Sequence, residues 1–217
     1  DNPFRDVVVS GTVSEHQKPA PLKKSRQDVL LSFNEVDVDG LERWASHYES
    51  WGRFVLPAVG LLSRQGVFAE DRVSSLAMSL EAAGNLIGVV EGEDATYTNR
   101  GRKTTATWFF RCLTYLGWDC SAFADTTAGL AQAIADNYNT IKHFDRGDFP
   151  DLSETILVGE VVELMVRYLA LKLAKPDHAF REGSGFLFRS LADDFNRWGL
   201  RVDTDGQWVE VGASTES

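Results

Sequence analysis

Two polar side chains stand four residues apart near the C-terminal end of a predicted amphipathic helix. They are Asn139 and His143, within the segment 138–146. Residues at this spacing lie on one helix face, so the Asn139 carboxamide can orient the His143 imidazole. An imidazole titrates near neutral pH and can carry a proton as a general acid or base. The pair is a candidate catalytic centre, and the structural alternative for His143 is a charge that suits the helix C-terminal dipole.

Three neighbouring side chains are candidate substrate-binding groups. Lys142 directly precedes His143, and Arg146 follows it by three residues, near the same face if the helix continues that far. Either cation could contact a phosphate, although the preferred interpretation for Arg146 is that it pairs with Asp145 or Asp148 or caps the helix C-terminus. Tyr138 falls on the apolar stripe of the helix, which favours a core role. The stripe otherwise consists of Leu130, Ile134 and Ile141.

Helical periodicity over residues 38–175 predicts five helices that position these groups. The first begins near Val38 and carries an apolar stripe that we expect to be buried, and Pro57 should kink it, end it or mark a new start. The stripe consists of Leu41, Trp44, Ala45, Tyr48 and Trp51.

The other four helices are predicted over residues 70–90, 104–116, about 127–146 and 153–175. Residues 125–127 can cap the fourth helix, and Gly147 and Pro150 should stop it. The fifth helix is apolar nearly all round, so we expect it at the centre of the bundle. The sequence therefore predicts an all-α fold, a helical bundle of about five helices with small β elements at both ends.

The two ends of the chain differ from this helical region. Residues 6–13 are rich in β-branched types and predict a strand, and the lysines and prolines of 18–24 are typical of a linker. Near the C-terminus, residues 188–198 predict a short helix, and the alternation around Asp205 and Gly206 predicts a hairpin. We therefore predict an end of an upstream β-rich domain in 1–35, a helical domain in 36–178 and an appended segment in 179–217.

Composition narrows the function classes. The net charge of −10 gives no broad attraction for a polyanion, so any RNA contact must be local. Cys112 and Cys120 form no metal-binding spacing and are expected to be free thiols, and we expect neither a metal nor a cofactor. No run approaches the roughly 18 apolar residues of a membrane helix, which predicts a soluble, cytoplasmic protein without a membrane partner. The histidines His16, His47 and His178 receive no role.

Three features together resemble the ApeA-like branch of the HEPN family. They are the order of elements, the Ser79-Leu80-Glu81-Ala82 stretch, and Asn139-x-x-x-His143 ahead of a long apolar helix. The resemblance covers about residues 38–175 and implies a helical bundle behind a β-rich domain. Active members are metal-independent endoribonucleases of toxin and anti-phage defence systems. Their Arg-Asn-x-x-x-His motifs meet in a homodimer.

The resemblance assigns His143 the proton transfer that activates a 2′-hydroxyl or protonates the leaving oxygen. The motif arginine would hold the phosphate as charge develops, but Tyr138 occupies its position. Loss of one such stabilising group costs about a hundredfold to a thousandfold in rate, so we expect weakened or absent cleavage. Glu81 is either a site carboxylate or a solvated edge charge. The alternative function is a noncatalytic module for homodimerisation or for sensing RNA or a nucleotide.

Overall fold

The computed structural model describes residues 30–31, 33–64, 66–143, 148–176 and 185–211. Within these residues the chain forms six α-helices and one antiparallel pair of strands. The elements are α1 Phe33–Leu62, α2 Ala69–Ile87, α3 Thr105–Leu116, α4 Thr127–Lys142, α5 Leu152–Ala174, α6 Gly185–Trp198, β1 Leu200–Val202 and β2 Trp208–Glu210. The all-α class is confirmed, whereas the strand and linker predicted in the first thirty residues lie outside the described residues.

The centre of the bundle is formed by α2 and α5, which pack against each other and against α1, α3 and α4. The apolar face predicted for α2 is buried from Val73 to Gly84, and α5 buries thirteen residues, more than any other described helix. The backbone of α3 lies directly against α2 at Gly84, where an added Cβ would lie 2.3 Å from the Trp108 carbonyl oxygen. Any larger residue at this position would push the two helices apart.

The first helix differs from its prediction in bounds and in its buried face. It begins at Phe33, contains one non-helical residue at Asp37, and continues through Pro57 to Leu62. Pro57 therefore does not end the helix, although it has no N–H to donate to the Arg53 carbonyl. The predicted stripe is only partly covered, since Leu41 is 47% exposed. The core residues of α1 lie further along the chain: Phe54, Val55, Ala58 and Leu61.

A buried ion pair organises the connection between α2 and α3. Glu93 and Arg111 are 3% and 2% exposed, and two hydrogen bonds of 2.5 and 2.8 Å join the guanidinium to the carboxylate. Tyr97 Oη also donates to Glu93. The Arg111 guanidinium lowers the pKa of Glu93 to about 2. The pair satisfies two charges that would otherwise be costly to bury.

The hairpin predicted around Asp205 and Gly206 is confirmed, and it packs against α4. Leu200 pairs with Glu210, and Val202 pairs with Trp208. The buried Val202 also exchanges hydrogen bonds with the segment before α4. An added Cβ at Gly129 would lie 2.1 Å from the carbonyl oxygen of Asp203. The hairpin backbone therefore rests directly on the first turn of α4.

Candidate functional site

The helix that carries the predicted motif begins where the sequence places its cap. The Thr126 hydroxyl accepts the Gly129 N–H at 2.9 Å, which satisfies one of the free donors of the first turn. The helix ends at Lys142, earlier than the predicted stop near residues 146–150. His143 is therefore the C-cap, with an extended backbone (φ −117°, ψ 94°), and its N–H donates to the Asn139 carbonyl at 3.0 Å.

His143 and Asn139 are accessible at this helix end. His143 is exposed and Asn139 is half-buried. Among the described residues, none makes a hydrogen bond or an ion pair with the His143 imidazole. Within this part of the chain, no partner sets the orientation of the imidazole, and a ligand can reach it. Arg146, the more distant of the two predicted replacement cations, lies outside the described residues.

Tyr138 occupies the motif arginine position as a core side chain. It is 3% exposed, and its ring meets the Phe109 ring edge to face with 6.2 Å between centroids. The phenol Oη donates to Glu81 Oε2 at 3.1 Å. Burial, followed by the charge of Glu81, raises the pKa of the Tyr138 phenol well above its usual range. The phenol stays neutral near pH 7, and it supplies no positive charge to this position.

Lys142 provides a cation beside this buried tyrosine. Its Nζ lies 5.1 Å from the centroid of the Tyr138 ring, within the range of a cation–π contact. Lys142 itself is exposed. Successive helix positions place Tyr138, Lys142, Asn139 and His143 in that order around the helix, about 40–60° apart. The charged group therefore lies between the buried phenol and the accessible amide and imidazole.

Glu81 connects the motif region to a groove of about 670 Å³ between α1 and α2. The apolar part of the groove includes Leu56, Met78 and Leu86, which are 56%, 49% and 41% exposed. Arg53 lies at its edge, and no described residue forms an ion pair with its guanidinium. The groove combines an accessible apolar surface with one carboxylate and one unpaired cation.

The structure brings some of the predicted residues together and adds others. Glu81, Tyr138 and Lys142 are in contact through the hydrogen bond and the cation–π pair. Among the described residues, no hydrogen bond or ion pair joins them to the His143 side chain. Sequence reasoning missed Asn85 and Arg53 in the groove. Asn85 could have been found, because it lies four residues after Glu81 on the same helix face. Arg53 could not, since its place depends on how α1 packs against α2.

Metal and membrane features are not evident in the described residues. They contain no group of three or more His, Cys, Asp or Glu side chains that could hold a metal ion. Cys112 and Cys120 are free and buried. None of the described helices has the length and apolar character to cross a bilayer.

Comparison of the chain with protein-family models, with curated proteins and with solved structures gives no match. The resemblance to the HEPN family therefore rests on the motif residues and the order of elements alone.

Proposed function

We propose that this chain is a HEPN-like module that binds RNA at the surface formed by Asn139, Lys142 and His143 and that cleaves it weakly or not at all. The observation that carries the proposal is the burial of Tyr138 and its hydrogen bond to Glu81. In the motif of the resembling family this position belongs to a guanidinium. A neutral phenol fixed in the core cannot neutralise a phosphate as its charge develops.

The remaining residues support binding better than catalysis. Lys142 is an exposed cation that can neutralise a phosphate, and Asn139 can accept or donate a hydrogen bond to a base or sugar. His143 supplies an imidazole, the kind of group that transfers a proton in the cleavage reaction of the resembling family. Because the chain has a net charge of −10, an RNA contact would depend on this local cation.

The second candidate function, homodimerisation, is favoured by the groove between α1 and α2. Leu56, Met78 and Leu86 form an accessible apolar surface that a second copy could cover. The two candidates are compatible, since Glu81 borders the groove and also contacts Tyr138.

The deciding experiment restores the guanidinium. Tyr138→Arg should raise metal-independent cleavage of RNA by about tenfold or more, and EDTA should not abolish the gain. Glu81 lies where it can pair with the new arginine, so we expect the variant to fold despite the buried position. Removal of the proton carrier by His143→Ala on this background should remove the gain.

Tyr138→Phe is the matched control, because it changes the same position without adding a cation and should leave cleavage at the wild-type level. A melting curve of each variant separates loss of fold from loss of chemistry. A folded Tyr138→Arg protein that does not cleave RNA would contradict the proposed relation to the ribonuclease family and leave RNA binding and homodimerisation as noncatalytic functions to test.

A further inference from the structure

A polar cavity of about 270 Å³ lies where the hairpin and the start of α5 meet α4. Its lining includes Asp136 and Asn137 from α4, Glu154 from α5 and Trp208 from β2. It does not include His143, Lys142 or Glu81. The cavity shares no residue with the surface proposed for RNA, although Asp136 lies three residues before Asn139 on the same helix.

The Asn137 carboxamide is the most unusual group in this cavity. Asn137 is only 4% exposed, and its Oδ1 has no hydrogen-bond donor among the described residues. The orientation of the amide is fixed by its other end. Asn137 Nδ2 lies 3.2 Å from the Thr155 Oγ1, and that hydroxyl already donates its proton to the Asp151 carbonyl at 2.8 Å. Thr155 can therefore only accept, so Nδ2 is the donor and Oδ1 remains an unsatisfied acceptor.

A buried acceptor without a donor costs about 1–3 kcal/mol, so a donor that reached this oxygen would stabilise the protein. Two carboxylates add to this acceptor character. Glu154 is half-buried, and burial followed by the charge of Asp151 raises the pKa of its carboxyl. Asp136 is exposed at the edge and accepts one hydrogen bond from Gln132 Nε2 at 2.9 Å. The cavity thus combines the Asn137 side chain, which lacks one hydrogen-bond partner among the described residues, with two carboxyl groups.

The nearby N-terminus of α5 does not make this an anion site. The Asp151 carboxylate already accepts the N–H groups of Ser153 and Glu154, at 2.8 and 3.3 Å. This cap occupies the donors that would otherwise attract an anion and adds a further negative charge. A ligand must therefore supply donors and positive charge.

Trp208 adds an aromatic surface that favours a planar cation. One side of its indole stacks on Phe195, with 5.8 Å between centroids and 16° between planes, and the half-buried residue also lines the cavity. An indole is the best aromatic partner for a cation, and a guanidinium can stack on it while its fork of N–H donors reaches several acceptors.

We propose that this cavity binds a guanidinium group, held by Asn137, Asp136 and Glu154 against Trp208. The guanidinium belongs either to a free small molecule or to an arginine side chain of a protein partner. Both sources present the same donors, and the cavity is of a size to take the group with a short part of its stem.

The test is a titration of the full chain, followed by NMR at the Asn137 carboxamide and the Trp208 indole N–H. Two probes distinguish the sources: agmatine, and an acetylated Gly-Ser peptide with one arginine. Both should shift these two signals with millimolar affinity, and the tighter probe identifies the source. The same peptide with lysine in place of arginine should bind more weakly.

Glu154→Gln should weaken binding of both probes by about tenfold, since the hydrogen bond to a charged carboxylate becomes one to a neutral amide. Asp205→Asn is the matched control, because it removes one charge from the exposed hairpin turn outside the cavity lining and should leave the affinity unchanged. A wild-type melting temperature for both variants establishes that they fold. Absence of shifts at millimolar probe, equal binding of the lysine peptide, or equal weakening by the two variants would each overturn the proposal.

Discussion

Tyr138 Oη donates a hydrogen bond to Glu81 Oε2 across 3.1 Å, and this contact joins α4 to α2 inside the bundle. The phenol is nearly inaccessible, while Glu81 is half-buried at the border of the α1–α2 groove. The hydrogen bond consequently connects the core to an accessible surface. It stabilises the packing of two helices and keeps a carboxylate beside the motif.

The first prediction concerns the alkaline stability that this contact produces. Burial and Glu81 raise the folded-state pKa of Tyr138 above its unfolded value of 10.0, so the folded protein retains a proton that the unfolded chain releases. This contribution to the free energy of unfolding is complete below pH 10 and is lost as the pH rises further. Tyr138→Phe should lower the free energy of unfolding by about 1 kcal/mol at neutral pH. Above pH 10 the variant should lose less stability than the wild type.

Urea unfolding of both proteins on either side of pH 10 measures the difference. Tyr115→Phe is the control, because Tyr115 is 40% exposed on α3. Parallel alkaline profiles for wild type and Tyr138→Phe would contradict the assignment of this loss to Tyr138.

The second prediction concerns acid and the buried pair of Glu93 with Arg111. The pKa of Glu93 falls from an ordinary 4.5 to about 2 in the folded protein. A depressed carboxyl pKa stabilises the fold above the unfolded value, so this contribution is lost as the pH falls from 4.5 toward 2. Glu93→Gln should cost about 3 kcal/mol or more at neutral pH, because Arg111 keeps its charge without a counter-ion.

The same variant should lack the Glu93 part of the acid-induced loss. Denaturant unfolding between about pH 5 and pH 3, where an unfolded glutamate takes up its proton, measures this loss of stability. Glu91→Gln, two residues away and exposed, is the control and should resemble wild type. An unchanged free energy of unfolding in Glu93→Gln would show that the pair contributes nothing net.

Periodicity predicted α2, α3 and α5 well because their apolar faces repeat at helical spacing and meet partners on the same chain. The burial of Val73 and Phe109 follows directly from this pattern. The predicted burial of the α1 stripe was only partly right, because periodicity shows which residues could be buried and not how far the neighbouring helices extend. Leu41 borders a cavity of about 410 Å³ between α1 and α5. The Glu93–Arg111 pair was also missed, since its partners are 18 residues apart and meet only through the connecting turn.

In the candidate site, too, the sequence pattern predicts some features and helix packing determines the others. The core position of Tyr138 followed from its place on the apolar stripe, whereas its bond to Glu81 required the packing of α4 on α2. The early end of α4 was not predictable from the Gly and Pro signals, which lie four and seven residues beyond His143. Helix stop signals set the furthest extent of a helix, and fraying or local contacts can end it sooner.

The third prediction is that the chain forms a homodimer through the α1–α2 groove. Leu56 is 56% exposed in this groove, and a charge there should prevent a second copy from covering the apolar surface. Light scattering at micromolar concentration should give twice the monomer mass of 24.1 kDa for wild type and the monomer mass for Leu56→Glu. Val89→Glu is the control, since Val89 is 75% exposed outside the groove. A wild-type mass that stays at 24.1 kDa on concentration would remove this interface.

The fourth prediction tests Lys142 as the phosphate contact of the proposed RNA-binding surface. Lys142→Ala should weaken binding of short single-stranded RNA of any sequence, because a phosphate contact carries no base information. The slope of log affinity against log salt should fall by about 0.7, the contribution of one phosphate neutralised on a single strand. Fluorescence anisotropy titrations at several salt concentrations measure both quantities.

Lys172→Ala provides a closely matched control for Lys142→Ala. Lys172 Nζ lies 5.1 Å from the centroid of the Tyr115 ring, the same separation as between Lys142 and Tyr138. Each variant therefore removes one positive charge and one cation–π contact, but only Lys142 lies beside the motif. If both variants weaken RNA binding equally, the effect is one of net charge alone. If Lys142→Ala alone lowers the affinity and the salt slope, the cation next to the buried tyrosine holds a phosphate that the motif arginine would otherwise hold.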